Sequence, residues 1–367
     1  MILAGASLSL TGRFALQGRQ AFRGLRLWEG WANREAGLSV GLRVYDDGSR
    51  IAGAQANVRR LLAVDGVDLL FGPYSSSLTL AVGSIAEAHG KILWNHGGAS
   101  DEIFARGWRR HVGGIAPASA YFADLPGWFR RQEPGIDHLT ILHAERGTFG
   151  RQVARGLDEA ARREGFDRIL VVPCDLARVN PSGALSWRAD GGGHALVLAG
   201  SYQDEVRLLL NRESFPSPVR QIAAVAAGLV SFGEALGAAS GGILGASQWE
   251  PGLGAEPGVG PGEVWIRSGY RQAFGGEPEY PAVQAFSLGV VATECVRLAG
   301  SLRDEALREA AASLEVATCL GRFRIDPETG RQLGHRPVLV EWRNGRKLVA
   351  GSPTKKEASC LSPTFDD

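Results

Sequence analysis

Short apolar runs and helical periodicities alternate along this chain. Residues 1–10 open as a buried strand that Thr11-Gly12 ends. Residues 17–33 follow as a helix, with Ala21, Leu25, Trp28 and Ala32 on one face. Residues 40–45 form a second strand closed by the acidic turn Asp46-Asp47-Gly48, and 52–63 a second helix. The run 67–71 is a third strand stopped by Gly72-Pro73; Leu78, Val82, Ile85 and Ala86 then recur at helical spacing as far as Gly90. Residues 92–94 make a fourth strand. Such regular alternation predicts an α/β unit with a parallel sheet.

The pattern restarts near residues 115–120. Helices are expected over 120–131 and 149–164, and strands over 138–143, 169–172, 195–198 and 221–225. Val206 to Leu210 continue into a helix, and 231–236 form a short one. This second α/β unit repeats the rhythm of the first without repeating its residues. The Pro/Gly-rich stretch 251–261 reads as a surface loop. Helices follow over 263–274, 282–299 and 302–314. Residues 321–330 and then 336–349, with a turn at Asn344-Gly345, read as a hairpin. From Ser352 onward the chain reads as a frayed end.

Composition narrows the function classes. A chain of 367 residues can bury two cores, and a formal net charge of +1 argues against nucleic acid as a partner. The four cysteines, Cys174, Cys295, Cys319 and Cys360, make no C-x-x-C pair, and none has histidine at metal-ligand spacing. No metal or other cofactor is expected. No run reads as long enough to span a membrane. The start carries no basic segment followed by an apolar stretch and a cleavage site, so an exported protein would be a mature form with its signal removed.

The candidate chemistry lies in loops. Ser75, Ser76 and Ser77 fall where the first turn of a helix has unpaired N–H groups, a place suited to an anion or carboxylate. The loop 95–101 after the fourth strand, with His96, Gly97, Gly98, Ala99 and Ser100, also lies at a strand's carboxyl end, where such sheets bind ligands. Phosphate-binding G-x-x-x-x-G-K-[ST], strand-borne G-x-G-x-x-G and G-x-S-x-G are all absent, and the histidines fall singly. No enzyme activity is expected; a hydrolase using His96 with Ser76 or Ser100 would show itself by turnover of a bound ligand.

Eight segments in register, GASLSLTGRFALQGRQAFRGLRL, FGPYSSSLT, NHGGASDEIF, HAERGTFGRQ, AGSYQDE, SQWEP, EPEYPAVQAFSLG and GRFRIDPETGRQLGHRPVLVEW, resemble the extracytoplasmic solute-binding proteins of branched-chain-amino-acid-type ABC transporters. The resemblance implies a type I periplasmic binding fold: α/β, two doubly wound lobes joined by three hinge crossings, closing over ligand. Lobe one would be 1–116 plus 251–321 and lobe two 119–247 plus 326–367, with crossings near 116–119, 247–250 and 322–326. By position, Ser76 matches the serine that binds the ligand carboxylate, with Ser77 beside it. Gly97, Gly98 and Ala99 match a loop offering backbone groups, and Tyr202 a lobe-two aromatic that contacts ligand. Phe149 stands where relatives often have Tyr, and Gln17 where they have an aromatic at the cleft mouth. Tyr74, Trp249 and Tyr280 are candidate side walls, and His96 and Ser100 complete the second loop.

One departure bears on the ligand. Relatives that bind amino acids carry a Glu after a lobe-two strand to pair with the ammonium; the matching position here is about Ala226, and no acidic residue lies between Glu213 and Glu234. Asp101, Glu145 or Asp204 could substitute only if a loop turned them inward. The resemblance therefore implies a solute-binding component of an ABC importer, delivering a small polar or carboxylate-bearing molecule, not an ordinary α-amino acid, to a membrane permease. It implies an extracytoplasmic location, periplasmic or lipid-anchored at the cell surface. The alternative is a ligand-sensing receptor or regulator on the same two-lobe fold.

Overall fold

The computed structural model describes residues 1–179, 192–215, 219–253 and 256–351. Part of the Pro/Gly-rich stretch and the tail from Ser352 thus lie outside the described residues. Five parallel strands form the first sheet: β1 (Ile2–Leu8), β2 (Val40–Asp46), β3 (Leu69–Phe71), β4 (Leu93–Asn95) and β5 (His111–Gly113), in the order β2-β1-β3-β4-β5. A second sheet holds β6 (Ile136–Ala144), β7 (Arg168–Cys174), β8 (Gly193–Ala199), β9 (Val219–Ala224) and β10 (Leu244–Ser247) in the parallel order β7-β6-β8-β9-β10. The two orders are the same, and in each the direction of winding reverses beside the first strand. At such a switch point the loops diverge and leave a crevice.

After β10 the chain returns to the first sheet. The helix Tyr280–Ala299 packs along the opening helix Ala15–Arg34, close enough that a Cβ on Gly24 would lie 2.1 Å from the Ala282 carbonyl oxygen. Trp28, fully buried between them, donates its indole N–H to Thr293 Oγ1 at 3.0 Å. A small antiparallel pair, β11 (Val316–Thr318) and β12 (Gly321–Phe323), carries the chain over again. Then β13 (Val338–Arg343) joins the second sheet antiparallel to β10, and β14 (Arg346–Val349) pairs antiparallel with β13 at the edge. Asn344 and Gly345 have φ of 51° and 70°, the two left-handed residues of a tight hairpin turn. The chain therefore passes three times between the sheets. The side-chain amide of Gln248 binds the first two passages together: Ala116 N–H donates to its Oε1 at 3.2 Å, and its Nε2 donates to Ala116 O at 3.4 Å.

The strands β5 and β10, 3 and 4 residues long, went unread; β3 and β4 are as short but stand out as apolar runs, whereas His, Gly and Ser break up His111–Gly113 and Leu244–Ser247. The expectation that no run could span a membrane fails: Tyr280–Ala299 is 20 residues and holds an 18-residue window of mean hydropathy 1.3, long and apolar enough by length and composition alone. Its apolarity comes from the interior it fills, since 72% of the apolar window is buried within this fold.

Candidate functional site

The carboxyl ends of the two sheets enclose a cavity of about 300 Å³. Three loops of the first sheet line it: Arg13, Phe14 and Gln17 after β1, Tyr74 to Ser77 after β3, and Gly97 with Ala99 after β4. The second sheet adds residues 144 and 146–150 after β6, 200–203 after β8, and Val225, Ala226 and Leu229 after β9. Tyr121 and Tyr280 complete the wall. Of the residues expected from sequence, Gln17, Tyr74, Ser76, Ser77, Gly97, Ala99, Phe149, Tyr202, Ala226 and Tyr280 come together here.

His96, Gly98, Ser100 and Trp249 do not line the cavity, for packing reasons. His96 is fully buried beneath the loop, and burial pushes its imidazole down to about 4. A Cβ on Gly98 would lie 2.4 Å from Thr79 Oγ1, so that backbone is pressed against the helix behind it. Ser100 caps the short helix Asp101–Phe104, its hydroxyl accepting from Glu102 N–H at 3.4 Å. Trp249 is buried, with its backbone N–H donated to Ser247 Oγ at 3.3 Å.

The loop 97–100 also differs from the expected offer of backbone groups. Asn95 consumes them: its Oδ1 accepts from Gly97 N–H at 3.2 Å and Gly98 N–H at 2.7 Å, and its Nδ2 donates to Gly98 O at 2.7 Å. Ala99 and Ser100 N–H both donate to Ser76 Oγ, at 3.2 and 2.9 Å. With its oxygen accepting twice, the Ser76 hydroxyl keeps its own hydrogen to donate. Ser76 and Ser77 are the first residues of the helix Ser76–Ala88, where N–H groups have no intrahelical acceptor. Ser75, the N-cap, sits at φ 100° and ψ 144°, backbone that a residue with a Cβ rarely adopts. The cavity thus meets a cluster of donors on a strained, fixed loop.

The remaining wall is phenolic and cationic. Tyr74, Tyr121 and Tyr280 lie within one another's electrostatic reach; burial raises all three hydroxyls, Tyr74 to about 12. Phe149 stands edge-on to Tyr121 at 5.2 Å. Tyr202 directs its hydroxyl to Ser231 O at 2.7 Å, so its own lobe already uses its polar end. Gln17 Oε1 and Thr148 Oγ1 have no hydrogen-bond partner among the described residues. Arg13 and Arg146 line the cavity, and among the described residues no Asp or Glu does. Asp101 is turned away, accepting from Ser119 N–H at 3.0 Å and Ser119 Oγ at 2.7 Å. Asp204 accepts from Ser201 Oγ at 2.6 Å, and Glu145 and Asp204 face an outer chamber beyond Arg146.

Sequence reasoning missed both arginines and Tyr121. A signal existed for the arginines: each follows a strand at which the sheet order reverses, Arg13 after β1 and Arg146 after β6. Tyr121 had none, because a lone aromatic past a strand reads as core.

Two α/β units that face each other with their strand ends across a cavity have the architecture of a two-lobed binding protein. The family described as "Periplasmic binding protein" matches residues 2–347, and the chain belongs to that family. Two curated relatives from Brucella abortus, Leu/Ile/Val-binding protein homologs 8 and 7, are each 31% identical, over 28% and 58% of this chain. Those matches span 26% and 55% of the relatives' own lengths. Among solved structures, a leucine binding protein from Thermotoga maritima has a TM-score of 0.81 at 17% identity, covering 96% of this chain and 98% of its own. A solute binding protein of an ABC transporter from Rhodopseudomonas palustris, in complex with 3,4-dihydroxybenzoic acid, has a TM-score of 0.77 at 16% identity, covering 95% and 97%. At these identities the structural likeness speaks to the fold.

Proposed function

We propose that this chain is the solute-binding component of an ABC importer and captures a small organic carboxylate without an α-ammonium group. One observation carries the ligand class: among the described residues the cavity is lined by Arg13 and Arg146 and by no carboxylate. An ammonium taken from water into a closed cleft needs a counter-charge or several acceptors. Ala226 offers neither, and the loop carbonyl of Gly98 already accepts from Asn95 Nδ2. A carboxylate, in contrast, meets the Ser76 hydroxyl, the free N–H groups of the first helical turn, the Arg146 guanidinium and that of Arg13, which is shared with Asp204 at 3.7 Å. The aromatic faces of Phe14, Tyr74, Phe149 and Tyr202 suit an apolar or aromatic body. The Rhodopseudomonas palustris relative holds a ligand of this kind, a benzoate with no ammonium. Ligand bound to both lobes would favour the closed form and present it to a membrane permease.

A thermal-shift panel of aliphatic amino acids, aliphatic and aromatic carboxylates, and amides tests this reading, because a ligand selective for the folded state raises the melting temperature. Carboxylates lacking an ammonium should give the larger shifts. Submicromolar leucine binding, with its ammonium paired to a carboxylate in the complex, would sink the proposal.

A further inference from the structure

Behind the second-sheet half of the cavity lies a carboxyl group that touches no solvent. Glu205, on the helix Tyr202–Leu209, is fully buried. Its two oxygens are each taken by a backbone donor from a different cavity loop: Gly200 N–H reaches Oε1 at 2.6 Å, and Ala226 N–H reaches Oε2 at 2.7 Å. Gly200 and Ala226 both line the cavity, as do Ser201, Tyr202 and Gln203 between them in the chain. No other side chain among the described residues bonds to both loops. We infer that Glu205 is the positioning residue of this wall: its ionised carboxylate clamps the β8 and β9 loops together, and its protonation frees one of them.

The chemistry is that of donor and acceptor counting. An ionised carboxylate only accepts, and so serves both N–H groups with charge-assisted bonds. Adding a proton turns one oxygen into a donor that faces a donor, and one loop loses its tie. Burial raises the group to about 8, opposed by the two N–H groups, so the change falls near neutral pH. The charged groups around it are few. Asp204 on its own helix repels it and is itself held by Ser201 Oγ and, at 3.7 Å, by Arg13. Glu234 lies on the neighbouring helix Val230–Leu236, and Lys347 donates to Gly228 O at 2.8 Å on the β9 loop.

This role affects capture only if the cavity holds the ligand, as proposed above; the test reads the wall with no ligand present, so either can fail without the other. Amide resonances of Gly200 and Ala226 are followed by NMR from pH 6 to 9.5 in wild type, Glu205→Gln and Asp204→Asn. Both amides should move together in wild type with one shared midpoint, move likewise in Asp204→Asn, and stay near their low-pH positions throughout in Glu205→Gln. If Glu205→Gln does not fold, the shared midpoint in wild type and in Asp204→Asn carries the test alone. Amides that do not move in wild type, or that move with separate midpoints, or that titrate equally in Glu205→Gln, overturn the role.

Discussion

Ser76 joins two loops through one oxygen, and this makes its removal costlier than the loss of a ligand contact. Ser76→Ala deletes a donor to the proposed carboxylate, worth on the order of 1.5–3 kcal/mol or roughly ten- to a hundredfold in affinity. It also strips Ala99 and Ser100 N–H of their acceptor. Calorimetry should therefore show weaker binding, and melting should show a lower unliganded stability; unchanged affinity would remove Ser76 from the site. Ser75 should behave in the opposite sense. Its φ of 100° stores strain of about 1–3 kcal/mol, whereas exchanging a serine cap for glycine costs only about a few tenths of a kcal/mol. Ser75→Gly should raise the melting temperature of the unliganded protein, and a fall would show the strain to be absent. At this scale the sequence was partly legible. The serine loop announced itself through residue type, and so did the small-residue loop. Their division of labour did not, because Asn95 and Ser76 use up backbone groups that the sequence leaves formally free.

Elements with a long period were read within a few residues: the helix Glu263–Phe274 was found at its full extent and Phe149–Arg163 within one residue. Short strands were read only where an apolar run marked them: β3 and β4 were found, β5 and β10 were not, since three or four residues carry no alternation. The helix Tyr202–Leu209 shows how element and site combine. Its first residue lines the cavity with a ring whose hydroxyl is tied to Ser231 O. Tyr202→Phe should thus leave ligand affinity nearly unchanged and cost only the ordinary ~0.5–1.5 kcal/mol of one hydrogen bond in stability. Tyr202→Ala should weaken binding clearly while the unliganded fold persists. Equal losses of affinity in the two variants would mean that the hydroxyl, not the ring, meets the ligand.

At the scale of the molecule, buried titratable groups set a pH optimum. Burial lowers His96 and His335 to about 4 and His111 to about 3. Each is neutral when folded and charged when unfolded below about 6.5, so the stability it contributes is present above that pH and lost as pH falls toward its folded value. Glu205 has the opposite shift, raised to about 8, and its contribution is lost as pH rises from the ordinary carboxylate range through 8. Three histidines outweigh one glutamate on the acid side. The melting temperature should peak between about 6 and 7, falling steeply below and gently above; a profile flat from pH 4.5 to 8 would contradict the burial of these groups. Closure is a second whole-molecule expectation. Across the cleft Gln203 Nε2 donates to Arg13 O at 2.6 Å, Val230 N–H donates to Glu279 at 3.0 Å, and Arg151 pairs with Glu102. Small-angle scattering should show a smaller radius with ligand than without. Tight binding without that change would indicate a pocket that does not close.

The shared strand order of the two sheets has one more consequence. Most of each half of the cavity is contributed by loops that spring from the same three topological positions of its own sheet. The two halves can therefore diverge independently. Exchanging the β6, β8 and β9 loops alters what the second sheet offers a ligand and leaves the serine loop and its donors as they are. A lineage built on this plan can keep one grip constant, the hold on a carboxylate, while the opposite face is rewritten for a new body, one loop at a time.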